Sequence, residues 1–174
     1  MANVELAYDL LETNSPAGAL LLAATEKGLA FLSFRPQEIL ASKKFSFARD
    51  SGALQPYVAE MREFLTGKRR DFDLPLDLRG TEFQLRCWNQ LLKIPYGEVI
   101  TYATLAQRVG SPNGFRAVGH ANGQNPVAII VPCHRVIASD GTLGGYGGGL
   151  PMKQWLLDLE GAIIPAQRQM SAFA

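Results

Sequence analysis

Hydrophobic and polar positions alternate in two different rhythms along this chain, and the change falls near residue 80. Val4 to Leu11 and Ala19 to Phe34 are apolar, strand-like stretches, separated by the turn signals Asn14-Ser15-Pro16 and Glu26-Lys27-Gly28. Leu54, Val58, Met61 and Leu65 recur at helical spacing, and Gly67 stops the helix that they predict. Asp71 to Leu78 alternates apolar and charged residues, which predicts a further strand before Arg79-Gly80 closes the segment. The first part, residues 1–80, therefore reads as a small antiparallel sheet with helical cover.

Beyond residue 80 the helical period dominates. Thr81 and Gln84 have capping-box spacing and predict a helix running to about Leu92, ended by Pro95-Tyr96-Gly97. Thr101 to Val109 predicts a short helix stopped by Gly110. Ser111 and Pro112 suit the cap and first turn of the next, which runs to about Gly123. Two short helices so joined make a helix-turn-helix outline, a weak pattern when it stands alone. The apolar run Val127 to Val131 leads to Cys133, then come the glycine-rich residues 144–149, and Pro151 to Glu160 predicts a last helix with Trp155, Leu156 and Leu159 facing the core. Residues 162–174 carry no clear pattern and read as a loose tail. The fold class is α+β: an N-terminal α/β domain over 1–80 and a mostly helical C-terminal domain over 81–174.

Composition narrows the class of function. At 174 residues, 47% hydrophobic and 19% charged, the chain can bury one substantial core or two small ones. The start, Met1-Ala2-Asn3-Val4-Glu5, lacks a signal-peptide pattern, and no apolar run is long enough to span a bilayer, so a soluble cytoplasmic protein is expected. Two cysteines, Cys87 and Cys133, make neither a disulfide framework nor a zinc cluster; no metal and no cofactor are expected. The net charge of +1 argues against a broadly basic nucleic-acid binder. Residues 1–80 hold ten Lys/Arg against eleven Asp/Glu, and residues 81–174 hold seven against five, so any DNA contact must be local and in the second part.

Candidate chemistry centres on Val131-Pro132-Cys133-His134-Arg135-Val136. The thiolate is the reactive form of cysteine, and a neighbouring histidine held by a third group is one way of making it near neutral pH. An isolated Cys-His pair is more often a buried structural pair; the surrounding motifs favour the nucleophile here. Cys87, beside Trp88, reads as a core thiol.

Taken together, Phe83-Gln84 with Trp88, Ile94 to Val99, Thr101 to Ala106, Arg116-Ala117-Val118-Gly119, Asn125-Pro126, Pro132 to Val136 and Glu160-Gly161 resemble, in order and spacing, the O6-alkylguanine-DNA alkyltransferase family. The resemblance covers about residues 80–161; over residues 1–80 it is architectural only, a three-stranded antiparallel sheet with helices. It implies a DNA repair protein that flips O6-alkylguanine out of duplex DNA and moves the alkyl group irreversibly to its own cysteine. The partner would be double-stranded DNA containing O6-alkylguanine, with no membrane involved and the protein acting as a monomer.

The same resemblance assigns roles. Cys133 is the nucleophile, His134 takes its proton through a bridging water, Glu160 holds the imidazole, Asn125 ties the active-site turn to the DNA-binding helices, and Tyr102 donates a hydrogen bond to the flipped base. The Val136 carbonyl, Tyr146 and the Gly147 amide line the alkylguanine pocket. Arg116 is the finger that fills the gap in the duplex, Ala117 and Gly119 leave its helix slim for the minor groove, and Ala103, Ser111 and Ser139 contact the DNA strand. Two positions depart from the pattern: His120 stands where the family is usually small, and Asn122 replaces an apolar residue that packs over the base in some members. Three rivals differ in kind. A non-enzymatic reader of alkylated DNA would carry tryptophan in place of Cys133, a transcription regulator would need a dimerisation element, and a thiol hydrolase would turn over repeatedly.

Overall fold

The computed structural model describes residues 4–165. It divides into two compact units, one ending at Arg79 and taking in Pro126–Ala128, the other comprising Gly80–Asn125 and resuming at Ile129.

In the first unit, β1 (Glu5–Glu12), β2 (Ala19–Thr25) and β3 (Gly28–Ser33) pair antiparallel. A fourth strand, β4 (Ser46–Arg49), joins β1 in parallel and makes the sheet mixed, in the order β3-β2-β1-β4. The antiparallel reading thus describes three strands, and four residues are too short a run for a period to announce the last. The central strand, Ala19–Thr25, is buried at every interior position, as an apolar run without alternation implies when both faces are covered. One face carries Leu6, Ala23 and Ala30 under an aromatic layer of Tyr8, Phe31, Phe45 and Phe47. Helix α1 (Pro36–Leu40) precedes β4, and α2 (Ser51–Leu65), capped by Asp50 Oδ1 accepting from the Ala53 amide at 2.9 Å, buries Leu54, Tyr57, Met61 and Phe64. Of the predicted helical stripe, Leu54 and Met61 are buried, while Val58 and Leu65 are only half-buried.

The alternating segment Asp71 to Leu78 is not a strand. Leu76 makes a single parallel bridge to Leu29, with the Leu29 amide donating to the Pro75 carbonyl at 2.9 Å and the Asp77 amide to the Leu29 carbonyl at 2.9 Å. Pro75 has no N–H to continue a ladder, so an apolar alternation yields an extended edge and not a strand. Pro126–Ala128 belongs to this unit in the same manner: the Leu32 amide donates to the Pro126 carbonyl at 2.9 Å and the Ala128 amide to the Leu32 carbonyl at 3.1 Å.

The second unit begins with α3 (Glu82–Leu91), whose capping box between Thr81 and Gln84 is complete. Its buried face presents Cys87, Trp88 and Leu91, and the Trp88 indole donates to the Ala121 carbonyl at 2.9 Å. Helix α4 (Tyr102–Arg108) is capped by Thr101, and α5 (Phe115–Gly123) packs against both α3 and α4. The cap foreseen at Ser111 is displaced: α5 begins after Gly114, with no side-chain cap. Ser111 instead closes the turn, its carbonyl accepting from the Gly114 amide at 2.8 Å. A two-stranded parallel pair, β5 (Ile100–Thr101) with β6 (Val136–Ile137), joins the ends of the active segment to the start of α4.

Helix α6 (Leu150–Leu159) buries Met152, Lys153, Leu156 and Leu157, whereas Trp155 and Leu159 are only partly covered. The expected stripe is therefore rotated, because a buried lysine occupies a position that a hydrophobic period does not register. Ala162 and Ile164 pack with Ile137 and Leu157, so the expected loose tail does not begin at residue 162; residues 166–174 lie outside the described residues. Ile129 has φ +71°, and among the described residues it is the one non-glycine residue in the left-handed region.

Candidate active site

Cys133–Arg135 forms one turn of 3₁₀-helix after the apolar run Val127 to Val131. Pro132 cannot continue a ladder, and the turn sends consecutive side chains about 120° apart. Cys133 and His134 consequently face different neighbours. The Asn125 amide donates at 3.2 Å to Cys133 Sγ and at 2.7 Å to the Val131 carbonyl. Asn125 is thus a brace across the active-site turn. Burial pushes the Cys133 thiol above its ordinary pKa, against the pull of the Asn125 amide and the positive charge of Lys153, so the resting sulfur carries its proton.

His134 is fully buried, and its Nε2 lies 2.7 Å from Glu160 Oε1. The carboxylate requires a donor there, which places the proton on Nε2 and leaves Nδ1 as a bare acceptor. Nδ1 is buried and has no hydrogen-bond partner. Burial holds the imidazole below its usual pKa, outweighing Glu160, so His134 is neutral near pH 7 and its Nδ1 lone pair is available as a base.

Glu160 is the hub. It is 6% exposed and accepts from Arg135 Nε at 2.9 Å, from the second Arg135 nitrogen at 2.9 Å and from the Gly97 amide at 3.1 Å, besides His134. Burial alone would raise its pKa, but these donors hold it down to about 2. The Pro95-Tyr96-Gly97 turn exists at this point because Gly97, at φ +78°, lets the chain pass where a Cβ would meet the Glu160 carbonyl at 2.9 Å. Arg135 also donates to the Ile94 carbonyl at 2.6 Å and lies over the Tyr96 ring at 5.8 Å. The sequence reading gave Arg135 no task, yet its bidentate grip is what fixes the Glu160 carboxylate.

Lys153 was missed altogether. Fully buried, it donates from Nζ to the carbonyls of Val136 at 2.6 Å, Leu143 and Gly145 at 3.3 Å, tying the glycine-rich loop to the active segment. Burial lowers its pKa to about 8. A lysine at a core-facing position of a predicted helix is the one signal that could have exposed it.

Tyr102 opens α4, and burial, then the neighbouring Cys133 sulfur, raises its hydroxyl pKa while Asn122 opposes the shift. Gly144 runs beside the Tyr102 ring, where an added Cβ would lie 3.3 Å away. Tyr146 is pushed well above the ordinary phenol range by burial and by Cys133. Cys133, Tyr102, Tyr146, Asn125, Val136 and Lys153 therefore share one neighbourhood. On α5, Arg116, Ala117 and His120 are exposed and Gly119 half-exposed, with Ala103 and Ser111 half-buried on α4 and the turn before α5. Ser139 and Gly147 are exposed on the loops that follow the cysteine.

A buried thiol held by an amide stands close in sequence to a neutral imidazole locked to a carboxylate, with the exposed face of a slim helix in the same unit. Residues 82–162 match the family described as 6-O-methylguanine DNA methyltransferase, DNA binding domain, and residues 7–78 match 6-O-methylguanine DNA methyltransferase, ribonuclease-like domain. The chain is 46% identical over 153 residues to the methylated-DNA–protein-cysteine methyltransferase of Mycobacterium tuberculosis, covering 88% of this chain and 92% of that one. It is 44% identical over 168 residues to the inducible enzyme of that name from Bacillus subtilis, covering 86% and 94%. The crystal structure of Mycobacterium tuberculosis OGT in complex with DNA superposes with a TM-score of 0.81 at 43% identity, covering 95% of this chain and 99% of that one. The chain belongs to the 6-O-methylguanine DNA methyltransferase family. Its activity is that of a methylated-DNA–protein-cysteine methyltransferase, a single-use DNA repair protein.

Proposed function

We propose that Cys133 is the alkyl acceptor and that the residues around it divide the work of one displacement. The sulfur attacks the alkyl carbon from the side opposite O6; the S–C bond forms as the C–O6 bond breaks, and the bonding pair leaves with the purine. The thiol proton passes through a water to His134 Nδ1, while Glu160 takes the hydrogen bond from Nε2–H and favours the resulting imidazolium. The observation that carries this reading is the buried, unpartnered Nδ1 of an imidazole whose other nitrogen is held 2.7 Å from Glu160. Tyr102 donates to the base as negative charge builds on it, and the Gly147 amide supports O6. Tyr146 and the Val136 carbonyl bound the pocket.

The base reaches this pocket by leaving the duplex. Arg116 on exposed α5 fills the vacated stack, and Ala117 and Gly119 keep the helix slim enough for the minor groove. Ala103, Ser111 and Ser139 contact the strand's phosphates. Among the described residues no helix is long and apolar enough to cross a membrane, and a reduced, buried thiol suits a cytoplasmic protein.

Incubation with a duplex containing O6-methylguanine, followed by peptide mass mapping, tests the assignment. One methyl group on Cys133 and repair that stops at one lesion per protein are expected; repair beyond that stoichiometry, or a methyl group elsewhere, overturns it.

A further inference from the structure

We propose that the left-handed turn at Ile129 is what returns the chain to Asn125 and sets the Cys133 sulfur against its amide, which makes Ile129 a positioning residue for the alkyl transfer. This rests on the reading of Cys133 as the alkyl acceptor.

Asn125 Nδ2 donates to the Val131 carbonyl at 2.7 Å and to Cys133 Sγ at 3.2 Å. Fully extended, the chain from Asn125 to Val131 would span about 20 Å. The segment must therefore double back, and little of it is free to bend. Pro126 and Pro132 have φ set by their rings. Val127 is held in a parallel bridge to Leu32, with the hydrogen bonds of Pro126 and Ala128 on either side. Pro132, at φ −82° and ψ +65°, centres an inverse γ-turn in which the Cys133 amide donates to the Val131 carbonyl at 2.8 Å. The Val131 carbonyl thus accepts from the Asn125 side chain and the Cys133 backbone together, and the position of the sulfur follows from it. The reversal falls to the turn at residues 128–130, where Ile129 has φ +71°.

No glycine stands between Asn125 and Pro132 to take that angle. Isoleucine is among the residues least suited to it, because its branched Cβ crowds the backbone there. Such strain persists only where the surroundings over-determine it, and it gathers at functional sites. Here the surroundings are apolar: Ile129 is 1% exposed and Val131 is fully buried. Glycine would adopt the same angle at no steric cost but would have no side chain to hold it there. The buried isoleucine anchors the strained turn and keeps the Asn125 contact from opening.

Single-turnover transfer from an O6-methylguanine duplex, measured against duplex concentration, tests this role. Ile129→Gly should lower the saturating rate roughly tenfold or more and leave the concentration for half-maximal rate unchanged, since the sulfur is displaced and helix α5 is not. Ile129→Val, which keeps most of the buried side chain, should restore most of the rate. In an Asn125→Ala background, Ile129→Gly should slow transfer little further, because the contact through which it acts is already gone. Ile129→Ala makes the same comparisons if the glycine variant does not fold. A saturating rate that stays at the wild-type level, a loss confined to duplex affinity, or the full slowing repeated in the Asn125→Ala background overturns the positioning role while leaving the alkyl-acceptor reading intact. Failure of the wild-type protein to methylate Cys133 overturns that underlying reading instead.

Discussion

Lys153 Nζ donates to the carbonyl of Val136 at 2.6 Å, three residues beyond Cys133, whose sulfur we propose as the alkyl acceptor. The same ammonium reaches the carbonyls of Leu143 and Gly145, so one buried charge holds the active segment and the glycine-rich loop in register. Lys153→Met keeps the volume and strands three carbonyls. It should lower the unfolding free energy by about 3 kcal/mol or more and slow alkyl transfer at least roughly tenfold. Lys153→Arg should not rescue it, because a planar fork cannot converge on three carbonyls around a point. Urea unfolding and single-turnover kinetics on the same samples check both statements.

Acid should weaken the fold through Glu160. Its folded pKa of about 2 lies below its ordinary 4.5, so its contribution is fully present above 4.5 and is lost as pH falls toward 2. The size is about 3 kcal/mol as an upper bound. His134 acts in the same direction, since an imidazole buried in its neutral form resists the proton that the unfolded chain accepts below 6.5. Unfolding free energies measured from about pH 7 to about pH 3 should fall steadily, and Glu160→Gln should flatten the lower part of that curve.

The transfer rate should have its own pH dependence. With Nδ1 of a neutral His134 as proton acceptor, the rate should hold across neutral pH and fall only when the imidazole protonates, at an inflection below 6.5. His134→Gln should slow transfer by about a hundredfold or more and remove that inflection. An unchanged profile in the variant would locate the base elsewhere.

Arg116 is exposed, in keeping with a side chain whose partner is a duplex. Arg116→Ala should slow transfer from duplex DNA by roughly tenfold or more while leaving transfer from the free O6-methylguanine base nearly unchanged. Equal slowing of both would mean that the arginine serves the pocket and not the extrusion of the base.

Much of this could be read from the chain because local signals were strong. The Thr81–Gln84 capping box and the stop at Gly110 are short patterns with a defined physical partner, and the link of His134 to Glu160 came from the family resemblance. What stayed hidden depends on distance. Nothing next to Glu160 in sequence announces that Arg135 and Gly97 converge on it, and the period of α6 passed over Lys153 because its three partners are backbone carbonyls. Ser111 failed as a cap for a local reason: the chain spends three more residues in a turn before α5 begins. The single bridge at Leu76 shows the opposite error, in which alternation promises a strand and Pro75 withholds the ladder.

Cys133 is buried, and its thiol holds its proton more tightly than a free cysteine does. Oxidants and stray electrophiles consume thiolates, not thiols. For a molecule whose whole working life is one reaction, that reluctance is shelf life: the reagent stays unspent in the absence of a lesion, and the number of intact copies a cell holds equals the number of damaged guanines it can still answer.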